Sequence, residues 1–272
     1  MFKKLLLDRS LIRKIPSVSP YDLATKARSL MRDLGLRIIV VVDDENRIVG
    51  VVWRENVLSI SSTRSNLYVK DLMEDVLLIG YLNDDLLYIL REMFMRDIWY
   101  IPVSDDRSRR SYLGVFGFEN FFEKILKEQE LYDIFKDLKV EEVMSREPKA
   151  FQPNISVTTL WRNMLKDRYA AYPVVNDKGV VIGIISQHDL LGISTAFQSE
   201  SGPRRGPKIS SVMTRPAITV KRNDNITNVI KIMVEKNIGR IPVVDDSNVL
   251  IGIIDRSDII RSFLKKMGET YV

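Results

Sequence analysis

Apolar and polar positions follow a clear order in the last quarter of the chain. The short apolar run AITV (217–220) predicts a strand, and NITNVIKIMVEKN (225–237) has the apolar spacing of a helix that begins near Asp224 or Asn225. The runs RIPVV and VLIGII flank the turn DDSN, which predicts a β-hairpin, and DIIRSFLKKM continues as a second helix. The predicted order of elements is therefore β-α-β-β-α.

This order recurs along the whole chain. A glycine in the second hairpin strand marks each of four copies, and an apolar anchor residue precedes it by 39 residues, or by 41 in copy two, whose turn is two residues longer. The anchors and their glycines are Leu11 with Gly50, Met73 with Gly114, Met144 with Gly183, and Met213 with Gly252. Copies of 64–69 residues indicate a repeat architecture. We assign repeats one to four to residues 1–66, 67–130, 131–198 and 207–272.

The predicted hairpin strands are apolar at nearly every position, which is typical of strands buried on both faces. A unit of about 60 residues of this kind leaves helix faces and strand edges uncovered, so the repeats are expected to pair. The charged segment 119–137 predicts a helical joint between repeats two and three, and the Gly- and Pro-rich segment 199–208 predicts a flexible connector. The predicted fold class is α/β (α+β), with four β-α-β-β-α repeats paired into two modules.

Composition sets limits on function. Of 272 residues, 45% are hydrophobic and 28% charged, which is usual for a globular protein, and the net charge of +5 permits anionic ligands. The chain has no cysteine, which excludes disulfides, cysteine–zinc sites and thiol nucleophiles. The longest strongly apolar stretch, Ile38–Val42, is far too short to cross a bilayer, and Asp8 interrupts the apolar start too early for a signal peptide. We therefore expect no membrane association and a cytoplasmic location.

One nine-residue motif occurs twice, 69 positions apart, as GIISQHDLL (183–191) and GIIDRSDII (252–260). Ser186 with Asp189, and Asp255 with Asp258, come just after a predicted strand and just before a predicted helix. Such residues are typical helix caps. The same place also suits a ligand, because a helix N-terminus offers free N–H donors and an Asp beside it can accept from two ribose hydroxyls. The residues alone leave both interpretations open.

The best-formed copies resemble the CBS domain, the small module named after cystathionine β-synthase. The resemblance rests on VMTRPAITV, IGRIPVVDD and GIIDRSDII in repeat four, and on VMSREPKAF, AAYPVVND and GIISQHDLL in repeat three. Repeats one and two keep the hairpin and its turn but diverge elsewhere. The resemblance implies pairs of repeats, called Bateman modules, that assemble into a disc within one chain or between chains, so a homodimer is expected.

The same resemblance implies a non-catalytic regulatory protein that binds AMP, ADP, ATP or S-adenosylmethionine between paired repeats and acts on a protein target. The family motif is Gly, two apolar residues, Ser or Thr, two variable residues, and Asp. Repeat three matches it fully, whereas repeat four has Asp255 in place of Ser or Thr. The implied ligand-binding residues are Tyr169, Ala170, Ser186, His188, Asp189, Met213, Thr214, Ile218, Ile238, Gly239, Arg240, Asp255 and Asp258.

The phosphate side of such a ligand needs a cation. In the family, the residue just before the second strand of one repeat often faces the nucleotide held by the partner's Asp. Arg240 is the basic residue at this position, and Ala171, Tyr100 and Ile38 stand there in the other repeats. The resemblance therefore implies that Arg240 faces a pocket built on Asp189 and offers a fork of donors to phosphate. The pocket built on Asp258 lacks this cation, so it is expected to bind more weakly or to hold a less charged ligand.

Repeats one and two depart from the motif at both of its polar positions. They have Trp53 with Asn56, and Gly117 with Asn120. An Asn still caps a helix, but it lacks the charge for a paired ribose contact. We therefore expect the first two repeats to be a structural or partner-binding half.

Other functions have weaker support. His188 is the only histidine, and its neighbours on one helix turn do not supply the geometry of a Ser–His hydrolase or enough ligands for a metal, so we predict no enzyme activity and no metal site. The basic clusters RSRR (107–110) and PRRGPK (203–208) leave nucleic-acid binding open as an alternative, although no aromatic interleaving accompanies them. A purely scaffolding interaction protein is a further alternative.

Overall fold

A computed structural model describes residues 5–58, 66–193 and 206–269. In these ranges the chain folds into helices and strands, which confirms the mixed α/β class. The predicted order β-α-β-β-α is complete in the second and fourth repeats, whereas in the described part of repeat one a single bridge from Val18 to Val41 stands in place of the first strand. The helices are α1 (Ala24–Leu34), α2 (Arg54–Leu58), α3 (Leu86–Met95), α4 (Phe118–Lys127), α5 (Gln129–Phe135), α6 (Val140–Val143), α7 (Val157–Asp167), α8 (Gln187–Leu191), α9 (Ile226–Glu235) and α10 (Arg256–Lys266). The strands are β1 (Ile38–Val42), β2 (Ile48–Trp53), β3 (Gly80–Tyr81), β4 (Tyr100–Ser104), β5 (Tyr112–Gly117), β6 (Ser145–Arg146), β7 (Ala171–Val175), β8 (Val181–Ser186), β9 (Val220–Lys221), β10 (Arg240–Val244) and β11 (Leu250–Asp255).

Four antiparallel hairpins carry the predicted repeat. They are β1–β2, β4–β5, β7–β8 and β10–β11, and each has one shift in register, just after the residue that pairs with the motif glycine. Val174 pairs with Gly183 in the third hairpin, and Val243 pairs with Gly252 in the fourth. The two extra residues of the second hairpin lie in its turn, between the paired residues Ser104 and Tyr112, so the pairing before the turn is the same in all four hairpins.

The 39-residue spacing between the anchor methionine and the glycine, which repeats three and four share, has its cause in a contact between repeats. A Cβ atom on Gly183 would lie 2.9 Å from both the Sδ of Met213 and the carbonyl oxygen of Thr214, and one on Gly252 would lie 2.7 Å from the Sδ of Met144. The anchor of each repeat thus crosses the hairpin of the other, and the backbone pairs there through bridges from Ile184 to Thr214 and from Ile253 to Ser145. Glycine is required at this position because an anchor lies directly against the strand.

The helices pack into two apolar cores. The first core draws on α1, α2, α7 and α8, and the second on α3, α4, α5, α9 and α10. Each core therefore combines helices from the first half of the chain with helices from the second half. Hydrogen bonds cross the same boundary, since Arg28 donates to the carbonyls of Leu191 and Ile193.

Two further predicted elements differ from the structure. The strand expected at 217–220 is only Val220–Lys221, because these are the residues that pair with β10, and Ile218 is 38% exposed. The helix expected at 119–137 is divided at Glu128, whose backbone is extended (φ −110°, ψ 116°), so that α4 and α5 are separate.

Part of the predicted connector and of the second basic cluster, residues 199–205, lies outside the described residues. Among the residues that are described, no helix combines the length and apolar character that a bilayer span requires.

Candidate functional site

Both copies of the repeated motif cap helices. The Oδ2 of Asp189 accepts a hydrogen bond from the backbone N–H of Ser186 at 2.7 Å, and the Oγ of Ser186 accepts from the N–H of Asp189 at 3.4 Å. At α10 the Oδ2 of Asp258 accepts from the N–H of Asp255 at 2.9 Å, while Asp255 accepts from the N–H groups of Ser257 and Asp258. The helix-cap interpretation is confirmed at both places.

Each capping Asp also reaches across to the other repeat. The Oδ1 of Asp189 accepts from the Oγ1 of Thr214 at 2.9 Å, and the Oδ1 of Asp258 accepts from the Oγ of Ser145 at 3.3 Å. Thr214 and Ser145 directly follow the anchor methionines of repeats four and three. The cap therefore uses one carboxylate oxygen, and the second oxygen lies at the boundary between repeats, where another hydroxyl donor could replace the one present.

We call the region between the third and fourth hairpins the second cleft and define it by Ala171, Ile184, Arg240 and Ile253. Arg240 donates to the carbonyl of Ala171 across it, and a bridge joins Val180 to Val249. Ile184 and Ile253, one position after the motif glycines, are only partly buried. The expectation that the strands are buried on both faces is therefore wrong for β8 and β11. Along both strands, fully buried positions alternate with partly exposed ones, because one face is turned toward this cleft.

The first cleft, between the first and second hairpins, is filled. Val51 and Val115, which occupy the positions of Ile184 and Ile253, are 2% and 3% exposed. They belong to an apolar cluster that also contains side chains from both hairpins and from the segments before them: Ile15, Ile38, Val40, Val42, Ile48, Trp53, Val76, Ile79, Trp99, Tyr100 and Tyr112. Large aromatic and branched side chains thus pack around Val51 and Val115, whereas Ile184 and Ile253 of the second cleft stay partly exposed.

Asparagine side chains cap the helices α2 and α4 in the first half of the chain. The Oδ1 of Asn56 accepts from the N–H of Trp53 at 2.6 Å, and its Nδ2 donates to the Oε1 of Glu74 at 2.7 Å. The Oδ1 of Asn120 accepts from the N–H of Gly117 at 2.9 Å, and Asn120 is 7% exposed. Asn therefore replaces Asp as a helix cap here, as predicted.

Arg240 is held at both ends of its guanidinium group. Its Nη1 donates to the carbonyl of Ala171 at 3.0 Å, and its Nη2 donates to the Oδ2 of Asp255 at 2.8 Å. Its Cζ lies 4.7 Å from the centre of the Tyr169 ring. Arg240 therefore does reach from repeat four to repeat three, but its charge is paired with Asp255. That it faces a ligand held by Asp189 stays a prediction.

A separate cavity of about 120 Å³ lies between α3, α4 and α10, where Trp99, Phe118 and Arg261 contribute to its walls. Pockets that bury a drug-sized ligand usually measure about 300 Å³ or more. This cavity reaches the motif through Ser257 and through Arg261, which contacts Asp258, but its volume is below that range.

The CBS-domain family profile matches residues 9–62, 140–195 and 209–265, which together are more than half of the chain. The chain belongs to the CBS-domain family. Residues 67–130, our predicted second repeat, lie outside the matched ranges, in agreement with the divergence of that repeat from the CBS motif.

Two proteins with solved structures match nearly the whole chain. Protein MJ1225 of Methanocaldococcus jannaschii is 24% identical over 276 residues, covering 92% of this chain and 96% of the relative. Its crystal structure superimposes with a TM-score of 0.79 at 23% identity. A conserved protein of Pyrococcus horikoshii gives a TM-score of 0.65 at 18% identity, covering 96% of this chain and 100% of the other. At such identities the similarity shows the fold alone.

A second group of relatives matches in part. Protein MJ1232 of Methanocaldococcus jannaschii is 32% identical over 136 residues, which are 50% of this chain and 43% of the relative. For protein MJ1404 of the same organism the match covers 38% of this chain and 23% of the relative. The chain therefore spans less than half the length of these two relatives.

The remaining candidate ligand-binding residues differ in exposure and in what they contact. Tyr169 is 45% exposed, Ala170 and His188 are exposed, and Met213 is 8% exposed beneath the strand. Ile238 packs partly buried against the second helical core, and Gly239 lies over the guanidinium of Arg256. None of these placements tests a role in ligand binding, so these assignments stay predictions.

Two residues that contact the CBS motif were missed from the sequence. Ser145 donates to Asp258, and the Nη1 of Arg261 donates to the same Oδ1 at 3.2 Å. Ser145 could have been found, because it is the counterpart of Thr214 exactly one 69-residue period earlier. Arg261 has no such signal, since nothing in the sequence distinguishes it from other arginines on amphipathic helices.

Burial and the neighbouring charge of Asp255 raise the pKa of Asp258 to about 6. The nearby Arg261 and Ser145 act in the opposite direction but do not cancel this rise. Asp255 is also buried, which acts to raise its pKa, but the charge of Arg240 and the hydrogen bonds from Ser257 and Arg240 outweigh this and lower the pKa below its ordinary value of 3.8.

We expect these shifts to make stability depend on pH. A carboxyl with a raised pKa binds its proton more tightly in the folded state, so the free energy of unfolding should rise by about 1 kcal/mol between pH 7 and pH 5 through Asp258. Asp255 stays ionised over this interval and contributes little to it. Urea unfolding of the wild type and Asp258→Asn at pH 5, 6 and 7 measures the effect. Asn caps the same position in repeats one and two, so the variant should fold and lose this increment; an unchanged pH dependence would contradict the assignment.

Proposed function

We propose that this chain is a non-catalytic regulatory protein made of four CBS repeats in two paired modules, and that it binds an adenosyl ligand in the second cleft. The proposed repeats are residues 1–66, 67–130, 131–198 and 207–272. The proposed ligands are AMP, ADP or ATP, with S-adenosylmethionine as a second candidate. A homodimer in the cytoplasm that acts on a separate protein target completes the proposal.

Reciprocal contacts support the pairing of the repeats. Backbone bridges join Val51 to Glu74 and Arg13 to Val115 in the first half, and β6 pairs with β11 while Ile184 meets Thr214 in the second. In each case, the segment that follows the anchor of one repeat lies along the second hairpin strand of the other. Such an exchange covers the strand edges that a single repeat would leave open.

The observation that carries the ligand proposal is the contrast between the two clefts. The first cleft is filled by apolar side chains and its caps are Asn56 and Asn120, whereas the second cleft has partly exposed Ile184 and Ile253 and carboxylate caps. Apolar walls can hold an adenine ring, and a carboxylate oxygen at the boundary can accept from ribose hydroxyls. We therefore assign ligand binding to the second half and structural support or partner contact to the first.

Regulation would follow from differential binding. A ligand that contacts both repeats of the second half favours the arrangement in which they are correctly apposed, and it shifts the population toward that arrangement. Since the helical cores combine both halves, such a shift would be transmitted to the helices of the first half. A separate protein that contacts those helices would then sense the ligand.

Thermal unfolding of the full chain with adenosine, AMP, ATP, S-adenosylmethionine and a mixed-sequence RNA oligonucleotide tests the function. We expect an adenosyl ligand at 100 times its Kd to add about 2.7 kcal/mol to the free energy of unfolding. A shift with the oligonucleotide alone would favour nucleic-acid binding. The absence of any shift would favour a scaffold, and turnover of a nucleotide would contradict the non-catalytic assignment.

A further inference from the structure

Repeat four carries opposite charges at one pair of positions where the other repeats do not. The first residue of the first hairpin strand pairs with the last residue of the second strand in every hairpin. These pairs are Ile38 with Trp53, Tyr100 with Gly117, Ala171 with Ser186, and Arg240 with Asp255. An ion pair therefore stands at the mouth of the second cleft, in the place where the related repeat three has a small apolar residue and a serine.

Asp255 is fixed in this position by the helix that it caps. Its Oδ1 accepts from the N–H and the Oγ of Ser257 at 2.9 and 2.5 Å, and its Oδ2 accepts from Arg240 at 2.8 Å. The side chains of Arg240 and Asp255 are 11% and 14% exposed. Both carboxylate oxygens are thus occupied, and Asp255 cannot turn away from Arg240 without losing its helix-capping contacts.

Arg240 uses two of its five N–H donors in this arrangement, one on each Nη atom. One side of its donor fork binds the carbonyl of Ala171, the other binds Asp255, and its guanidinium group lies over Tyr169. A phosphate that approached Arg240 would have to displace Asp255 or share the cation with it. Either case weakens the contact, because displacing Asp255 breaks an existing charge-assisted hydrogen bond and sharing the cation places the phosphate beside the negative charge of Asp255.

Other charged groups near the motif do not offset this. Arg261 is paired with Asp258 at 3.2 Å, and Arg215, which follows Thr214, is exposed and donates to the carbonyl of Ser210 at 3.1 Å. Asp189 adds a further acid at the opposite repeat. The least exposed arginine at the cleft mouth is therefore already neutralised.

We propose that Asp255 is a specificity-determining residue. By holding Arg240 in an ion pair, it lowers the affinity of the second cleft for ligands that carry a phosphate, relative to ligands with the same adenosine and no negative charge. This inference rests on the proposed function, and it narrows the ligand class to an adenosyl compound whose 5′ substituent is neutral or cationic. Among the proposed ligands it therefore favours S-adenosylmethionine over AMP, ADP and ATP.

Isothermal titration of the full chain with AMP and adenosine tests the proposal. In the wild type, AMP should bind no more than about 3-fold more tightly than adenosine, because the phosphate gains no free cation. Asp255→Ser should strengthen AMP binding by about 10-fold or more and change adenosine binding by less than about 3-fold. Serine is chosen because Ser186 caps the equivalent helix α8, so the helix keeps its cap.

The matched controls are Arg240→Ala alone and Arg240→Ala combined with Asp255→Ser. The single change should leave the ratio of AMP to adenosine affinity within about 3-fold of the wild type, and the double variant should lose the gain of Asp255→Ser. An unchanged ratio in Asp255→Ser, or a wild type that strongly prefers AMP and loses that preference in Arg240→Ala, would overturn the proposal.

Inorganic pyrophosphate provides a probe that does not depend on adenosine. It should stabilise Asp255→Ser against heat and leave the wild type and the double variant unchanged. If no adenosyl ligand binds any variant but pyrophosphate stabilises Asp255→Ser, the proposed function fails and the pairing of Arg240 by Asp255 is supported. If neither probe distinguishes Asp255→Ser from the wild type, the specificity role of Asp255 is wrong.

Discussion

Asp189→Asn is expected to weaken adenosine binding by about 10- to 150-fold, as measured by isothermal titration of the full chain. The Oδ1 of Asp189 accepts from Thr214 at the boundary of the second cleft, and a ribose hydroxyl would take over this charge-assisted contact. An amide has no charge at this position, and its nitrogen is a donor that faces hydroxyl donors. Adenosine is the suitable probe because it carries no phosphate to confuse the result.

The stability of the variant separates ligand binding from helix capping. Asn caps the corresponding helices in repeats one and two, so Asp189→Asn should lose at most about 1 kcal/mol of unfolding free energy. Asp85→Asn is the matched control, because Asp85 caps α3 through the N–H groups of Leu87 and Tyr88 and lies outside the second cleft. It should leave adenosine affinity unchanged. Equal affinity in Asp189→Asn and the wild type would mean that Asp189 is a helix cap alone.

Arg256→Met should lower the free energy of unfolding by about 3–5 kcal/mol, because it removes one partner of a buried ion pair. Arg256 is 1% exposed; its Nη1 donates to the Oη of Tyr100 at 2.8 Å and lies 3.3 Å from the Oε2 of Glu119. Burial acts to lower the pKa of Arg256, but Tyr100 and Glu119 outweigh it and the pKa is raised. Without Arg256, the carboxylate of Glu119 would remain buried without its cation. Urea unfolding at pH 7 measures the loss.

A double variant shows whether the stranded carboxylate causes the loss. Arg256→Met combined with Glu119→Gln should recover a large part of it, since no buried charge then remains. Arg96→Ala is the control for an exposed pair, because Arg96 is 45% exposed and bonds Glu92 one helical turn away; it should change stability by less than about 1 kcal/mol. A loss below about 1 kcal/mol in Arg256→Met would show that the pair between the halves contributes little.

The fold was largely accessible from the sequence because the repeat supplies its own alignment. The 39-residue spacing between Met213 and Gly252 is a property of one repeat, but its cause lies between repeats, since Met213 packs against Gly183 and Met144 against Gly252. The sequence therefore predicts the length of the repeat, but it does not show that each anchor packs against the glycine of the other repeat. The strand at 217–220 was overextended because apolar character alone does not decide which residues find a pairing partner.

The sequence identified which residues form the candidate site, but it did not show how these residues are paired and packed. The motif correctly placed Asp189 and Asp258 at helix starts and predicted Asn caps in the first half. That Arg240 is paired with Asp255 depends on hairpin register, which sets residues 15 positions apart side by side. The filling of the first cleft depends on several side chains, such as Trp53 and Tyr100, meeting from different segments. Reading each position separately could not reveal that they share one space.

The composition of the helical cores has a consequence for the order of folding during synthesis. Arg28 in α1 donates a hydrogen bond of 3.3 Å to the carbonyl of Leu191, which lies 163 positions later in the chain. The second core likewise includes α9 and α10, from the last part of the chain. A chain emerging from the ribosome therefore carries uncovered apolar helix faces until most of it has been made, and neither core can close early. Contacts so distant in sequence slow folding and prolong the exposure of aggregation-prone surface. Tight coupling between the halves thus means that a partly synthesised chain cannot bury the apolar surface of either core.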